Sequence, residues 1–528
     1  MTQAEVRRKR NDKSLSIGAL RLTEWLCFQV DVLERDVSEL LSLVRRMKNT
    51  FAPINRIPRE ILSTLPDYLS EEYTADQDLI TLTHVCNGWR ELFISCPFLW
   101  TYLDCKNVEK TRAYIERSKS SLLEVYFRAE EYSPLPYDAF LLTVPHIGRL
   151  KSLYLSGSSV NLVEITNAYF YCPAPFLERL HVHYSLSNRH AIETPFFDGN
   201  LPSLQALHLD GVVTSLPWEN LANLTTFDFR NVPSDDISVT QLLDFFECAP
   251  LLSDITLFHA SPTASDASLG RVVPLPSLKC LAIITQPVHS TLLNYLSIPS
   301  GTSLVLRSGF SNEAFPIPDH LLKTFENLNL SHITSIDIEC SRGVGLQLNG
   351  PSGRLRVRSD WLGAVTSLPI IQHQALRSLS HFHTSATEKL TITEYKNSLS
   401  PEIQKSPPYQ TLLAMDALRT LVLVKCHNIP FVSALDPSKI PSGALVCPKL
   451  GELVLHIKKE KWFCINELLE MAKERDSKGA RLSTITIISW HEFVPTEEVL
   501  ELRNHVSHVK YRLRPASILD GFFDSDSE

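Results

Sequence analysis

The chain has 528 residues, 44% of them hydrophobic and 21% charged, which supplies enough apolar material for a large buried core and excludes disorder along the whole length. Domains usually run to about 50–250 residues, so several domains or one elongated repeat array are expected. Fifty-one basic against fifty-nine acidic residues leave a formal charge of −8, which offers no global attraction for nucleic-acid phosphates or an anionic membrane.

The first nineteen residues carry a basic cluster, Arg7, Arg8, Lys9 and Arg10, with no apolar run behind it. A disordered N-terminus over 1–19 is expected, with a nuclear address as the alternative use of the cluster. No uninterrupted apolar run elsewhere reaches the roughly 18 residues of a membrane span. The eleven cysteines are scattered and never form C-x-x-C, which argues against a disulfide framework or a zinc knuckle and for a reducing compartment, cytoplasmic and/or nuclear.

Over 20–50, Leu26, Val30, Leu33, Val37, Leu40, Val44 and Met47 recur at alternating spacings of four and three, with charged residues between them. That is the seam of a short coiled-coil helix. The stripe can pair two copies as a weak homodimer through 26–47 or pack on the rest of the chain.

From 51 to 105, prolines 53, 58, 66 and 97 break the chain into short pieces. Pro58 suits the first turn of a helix continued by Glu60, Ile61, Leu62 and Leu65. A second helix is predicted from about Asp76 through Leu79, Leu82, Val85, Trp89 and Leu92. A module of this size cannot bury all of its apolar side chains among themselves.

From 106 to 515 the phrase L-x-x-L-x-L, or a close variant, recurs. Its fourth position gives Leu153, Leu180, Leu207, Phe227, Ile255, Leu281, Leu421, Leu453 and Ile485, at steps of mostly 20 to 32 residues, with weaker phrases at Leu304, Ile336 and Leu390. Each phrase reads as a short strand with alternate residues inward, introduced in several copies by a proline that delivers the chain extended. The expected fold class is α/β: an irregular leucine-rich-repeat solenoid preceded by a small all-α module and a heptad helix.

The motifs of catalysis are missing. There is no G-x-x-x-x-G-K-[ST], G-x-S-x-G or H-E-x-x-H, and "RGVGLQLNGPSGR" at 342–354 lacks the third glycine of a dinucleotide-binding turn and reads as a loop. "HVH" at 181–183 and "HFH" at 381–383 each place two imidazoles on one strand face without a third ligand at useful spacing, so no metal site and no cofactor are expected. The basic run "HIKKEKW" at 456–462 reads as a solvated loop. The residues 516–528 read as an acidic disordered tail.

Residues 54–100 resemble the F-box. An isoleucine-proline start, "INRIPREILSTLPDYL", leads to Asp78-Leu79, then to "VCNGWR" and to "LW" at 99–100. With the heptad helix before it and the leucine-rich phrases after it, the layout is similar to the fungal-type F-box-like leucine-rich-repeat proteins. The resemblance implies a non-enzymatic substrate-recognition subunit of a Skp/cullin/F-box ubiquitin ligase. Its F-box-like helices would meet a Skp-type adaptor, and its repeats would hold an unidentified protein substrate. Carried onto this sequence, the adaptor-facing set is Ile57, Pro58, Ile61, Leu62, Leu65, Leu79, Val85, Trp89 and Trp100, some of which must instead hold the module together. The alternative is a non-ligase scaffold in which these helices only cap the repeats.

Overall fold

In the computed structural model the described residues are 3–65, 75–128, 137–158, 165–166, 168–185, 191–192, 196–214, 221–232, 237–260, 271–285, 290–309, 332–340, 343–351, 353–360, 376–377, 379, 382–394, 406–440, 442–457, 465–489 and 497–513. They form an α/β protein with N-terminal helices and a large, mostly parallel sheet. The chain divides into two compact units, one of residues 1–126 and 136–143, the other of 127–135 and 144–528.

In the first unit, α1 (Gln3–Thr50) is a single helix of 48 residues. It starts at Gln3, so residues 3–19, expected to be disordered, are helical. Residues 3–50 contain no proline, and their one glycine, Gly18, costs only about 1 kcal/mol in a helix interior. Among the described residues the heptad stripe finds no cover within the first unit: Leu26, Val30, Leu33, Val37, Leu40, Val44 and Met47 are all exposed. A 3-10 turn at Pro53–Arg56 leads to α2 (Arg59–Leu62), which Pro58 caps at its N-terminus.

The single helix expected from Asp76 to Leu92 is in fact two, α3 (Ala75–Val85) and α4 (Asn87–Ile94). Between them Cys86 takes an extended conformation, φ −159° and ψ 171°, which no helix tolerates. A 3-10 turn, Pro97–Trp100, follows, and then α5 (Val108–Ser118), capped by Asn107. The boundary therefore falls beyond residue 105. Trp100 packs edge-on against Tyr114 of α5 with ring centroids 4.8 Å apart, so α5 belongs with the helical module. β1 (Tyr102–Leu103) pairs in parallel with Glu124–Val125 at the start of β2 (Leu123–Arg128).

In the second unit the chain forms β3 (Leu150–Ser158), β4 (Arg179–Ser185), β5 (Ala191–Ile192), β6 (Ala206–Asp210), β7 (Val213–Thr214), β8 (Thr226–Arg230), β9 (Asp254–Phe258), β10 (Val273–Pro274), β11 (Cys280–Thr285), β12 (Leu296–Ser297) and β13 (Ser303–Gly309). There follow β14 (Ser335–Glu339), β15 (Gly343–Gly350), β16 (Gly353–Asp360), β17 (Lys389–Thr393), β18 (Thr420–Val424), β19 (Glu452–Ile457), β20 (Thr484–Ser489) and β21 (His508–Leu513). The sheet runs β3-β4-β6-β8-β9-β11-β13 and then β16-β15-β14, before β17-β18-β19-β20-β21. Every pairing in this order is parallel except those of β15, which is antiparallel to both neighbours.

The fourth positions of the leucine phrases lie in one register row. Leu153, Leu180, Leu207, Phe227, Ile255, Leu281 and Leu304 are consecutive partners, and so are Ile336, Leu390, Leu421, Leu453 and Ile485. Leu355 and Leu348 complete the row between Leu304 and Ile336. All are buried. The alternation inward and outward is the period of two that a half-buried strand requires. The glycine-rich piece at 342–354, expected to be a loop, instead supplies most of a hairpin: Gly350 pairs with Gly353, and Leu346 and Leu348 on one strand and Leu355 and Val357 on the other point inward.

The strands end alike. Gly211, Asn231, His259, Glu394 and Lys425 each follow a strand directly and each has positive φ, between 49° and 69°. Their N–H groups donate to Arg230, Phe258, Ile284, Val424 and His456, respectively, the partner positions on the next strand. At Gly211 a side chain would meet the carbonyl oxygen of Tyr184 at 2.7 Å, so glycine is required there by space as well as by φ. Helices cover the inward side: Val239–Cys248, with a Ser238–Gln241 capping box, buries Leu242, Leu243, Phe245 and Phe246. Ile465–Ser477 is anchored by Arg475, fully buried, whose guanidinium donates to the carbonyls of Val446 at 2.7 Å and Cys447 at 2.9 Å.

Candidate interaction surfaces

In the helical module, Leu62, Trp89, Leu92 and Phe93 form a core, with Leu65, Leu82, Cys86, Cys96 and Leu99 packed against it. The Trp89 indole N–H donates to Asn55 Oδ1 at 2.7 Å, and the Trp100 indole N–H donates to the carbonyl of Phe93 at 2.9 Å. The Arg117 guanidinium lies over the Trp100 ring, 4.3 Å from its centroid. Both tryptophans are thus held from inside the first unit, and Trp100 has no exposed surface.

The candidate adaptor set accordingly divides. Leu62, Leu79, Trp89 and Trp100 are buried, and Leu65 is half-buried. Ile57, Pro58, Ile61 and Val85 are exposed, joined by Phe51, Ile54 and Phe98, which periodicity alone had not selected. A cleft of about 690 Å³ opens between α1 and α4, lined by Arg45, Arg46 and Asn49 on one side and Asn87, Gly88 and Glu91 on the other.

In the second unit the outward positions of β3, β4, β6 and β8 carry two parallel rows. One is Tyr154, His181, His208 and Asp228; the other is Ser156, His183, Asp210 and Arg230. Adjacent strands are about 4.8 Å apart, so side chains in one row meet directly. The Tyr154 and His181 rings lie 4.5 Å apart, and His181 stacks on His208 at 5.4 Å. His208 Nδ1 lies 3.3 Å from Asp228 Oδ2, and Arg230 Nε donates to Asp228 Oδ1 at 2.8 Å. Burial, reinforced by the neighbouring His208 and His183, pushes the His181 imidazolium down to a pKa of about 4. At Asp228 burial works upward, but the hydrogen bonds from His208 and Arg230 outweigh it and hold the carboxyl below its ordinary value.

Ser156, His183 and Asp210 are the residue types of a nucleophile, a base and an orienting acid, but their geometry is that of a tied surface. Ser156 Oγ lies 3.1 Å from His183 Nδ1, whereas His183 Nε2 stands 3.6 Å from Asp210 Oδ2, beyond hydrogen-bond reach. Asp210 instead accepts from Asn231 Nδ2 at 2.6 Å. These residues sit one and three positions after the fourth residue of each leucine phrase. Aligning the phrases and reading those columns would have found them.

Among the described residues no group of three or more His, Cys, Asp or Glu could hold a metal, the cysteines are free, and no helix is long and apolar enough to cross a membrane. His381, most of the basic run at 456–462 and the acidic tail at 516–528 lie outside the described residues. No known protein-family model matches the chain, and no curated protein matches it.

Proposed function

We propose that the chain is the substrate-recognition subunit of a Skp/cullin/F-box ubiquitin ligase, with its F-box-like helices on a Skp-type adaptor and a protein substrate on an irregular leucine-rich-repeat array. The observation that carries this reading is the division of the helical module. It closes a core of its own around Leu62, Trp89 and Phe93, yet leaves Ile54, Ile57, Ile61 and Val85 exposed. Fully burying one such side chain is worth about 1.5–3 kcal/mol, so covering these side chains supplies a partner with a substantial apolar driving force to set against the entropic costs of binding. The in-register leucine row supports the repeat reading of the sheet. In this role the chain breaks no bond; it holds a substrate lysine near the charged conjugating enzyme, a gain in effective concentration.

The test is co-purification of the full chain with a Skp-type adaptor from the same cell. Recovery is expected from the native chain and loss from Ile61→Asp and Val85→Asp, both at solvent-facing positions, with circular dichroism checking that each variant is folded. Equal recovery with either substitution, or none from the native chain, overturns the adaptor reading in favour of a scaffold.

A further inference from the structure

The apolar stripe of α1 lies on the side of the helix turned away from the helical module. Ser38, Ser42, Arg45, Arg46 and Asn49 line the cleft toward α4, and Arg46 Nη2 stands 4.0 Å from Glu91 Oε1. None of these belongs to the heptad series. Within that series Val30, Val37 and Val44 hold one repeating position, and Leu26, Leu33, Leu40 and Met47 hold the other. All are exposed, and so are Leu41 and Leu43, which flank the stripe on its two sides. From Leu26 to Met47 the stripe covers about 33 Å of helix. A contiguous exposed apolar surface of that extent marks an interaction site.

We propose that a second copy of the chain covers this stripe, parallel and in register, as a two-stranded coiled coil from Leu26 to Met47. Two features of the sequence specify the partner and its direction. The first is the sorting of the core, with β-branched valine at one position and leucine at the other, the combination that parallel two-stranded packing favours. The second is the charge beside the core. In the parallel pair Gln29 of one copy meets Glu34 of the other, Asp36 meets Leu41, and Leu43 meets Lys48, so no like charges face each other. An antiparallel pair that sets Leu26 against Val44 brings Glu34 onto Glu34 and Asp36 onto Asp36, and like charges so placed count against an arrangement. The next antiparallel register, Val30 against Met47, leaves Leu26 uncovered. Because the helical module follows the C-terminal end of α1 and packs beside it, parallel pairing carries two modules at the same end of the coiled coil. Their exposed Ile61 and Val85 faces then form a bivalent surface, and a ligand with two matching sites gains avidity from it without any new contact. The pairing stands on α1 alone and does not depend on the adaptor reading.

The test is oxidative cross-linking of the full-length chain carrying Leu40→Cys, with the native chain as the baseline for its own cysteines. In the parallel pair residue 40 faces residue 40, so a covalent dimer well above the native level is expected from this variant alone. It should vanish when Leu33→Asp is added. In the antiparallel registers residue 40 faces 30 or 37 instead. A tagged Leu40→Cys chain that cross-links only to untagged Val30→Cys or Val37→Cys, and not to itself, therefore overturns the parallel arrangement. No cross-link above baseline in any combination overturns the pairing altogether. Should a variant fail to fold, sedimentation equilibrium of the native chain still decides against a second copy if it stays monomeric at every concentration. No adaptor is present in either experiment, so their failure and the failure of adaptor recovery are separate results.

Discussion

The indole N–H of Trp89 on α4 donates to the side-chain oxygen of Asn55, thirty-four residues earlier, at 2.7 Å, and so ties the first turn of the helical module to its core. Trp89 is buried. Removing the acceptor leaves a buried donor unsatisfied, which costs more than the bond itself contributes. Asn55→Ala is expected to destabilise the module by about 1–3 kcal/mol and Trp89→Phe by about 1 kcal/mol or more. The double variant should lose less than the sum, because both remove one interaction. Urea unfolding followed by fluorescence reads all three, and strict additivity would show the bond to be idle.

The exposed stripe of α1 predicts self-association. Leu33 and Leu40 are 61% and 62% exposed, a state that a helix of this length relieves by pairing with a second copy. Sedimentation equilibrium should show a concentration-dependent dimer in the native chain and a monomer in Leu33→Asp, Leu40→Asp. A native chain that stays monomeric at the highest soluble concentration would assign the stripe to a different protein.

The row from Tyr154 to Asp228 predicts a pH dependence in a defined window. His181 is neutral in the folded state down to about pH 4, whereas in the unfolded chain it takes a proton near pH 6.5. The unfolded state therefore binds more protons between those values, and stability falls as the pH drops from about 6.5 toward 4. His208, His183, Asp228 and Asp210 face the same imidazole, the two histidines strengthening the effect and the two carboxylates weakening it. Melting temperature against pH should decline less steeply in His181→Gln than in the native chain; parallel curves would remove His181 from the explanation.

Leu355 closes the register row between Leu304 and Leu348 and is fully buried. Leu355→Ala is expected to cost about 2–5 kcal/mol, as large-to-small substitutions in packed cores do. Leu513→Ala, at a site 60% exposed, should cost little. Comparable losses at the two positions would mean that the hairpin is not part of the core.

Much of the sheet was legible because the leucine phrase encodes register directly: the position that repeats is the position that stacks. The hairpin was missed because the glycines and the proline of "GVGLQLNGPSGRLRVRS" outweighed an alternation that is nonetheless present, Leu346 and Leu348 followed by Leu355 and Val357. In the helical module the spacing of three and four identified the apolar residues but could not say which of them faced inward. Ile61 and Leu62 are adjacent and both apolar; one is 59% exposed and the other 5%. Nor could it foresee that Cys86 would break the helix, or that Trp100 would pair with Tyr114, a contact set by folding across a turn. The histidine row was invisible for a related reason, since it is assembled from single residues on separate strands.

The detour of the chain at β14 to β16 bears on the order in which the molecule can be made. Up to β13 every new strand of the large sheet pairs with the one just before it, so the sheet can grow as the polypeptide leaves the ribosome. Leu304 then waits for Leu355, a partner synthesised fifty-one residues later, while β14 and β15 go past it. For that interval β13 is an open edge, with unpaired backbone groups free to recruit a wrong strand. The arginines of β13 and β16 lie on the two sides of this late seam, and charge at an edge is one of the means by which proteins keep such a strand from aggregating before its partner arrives.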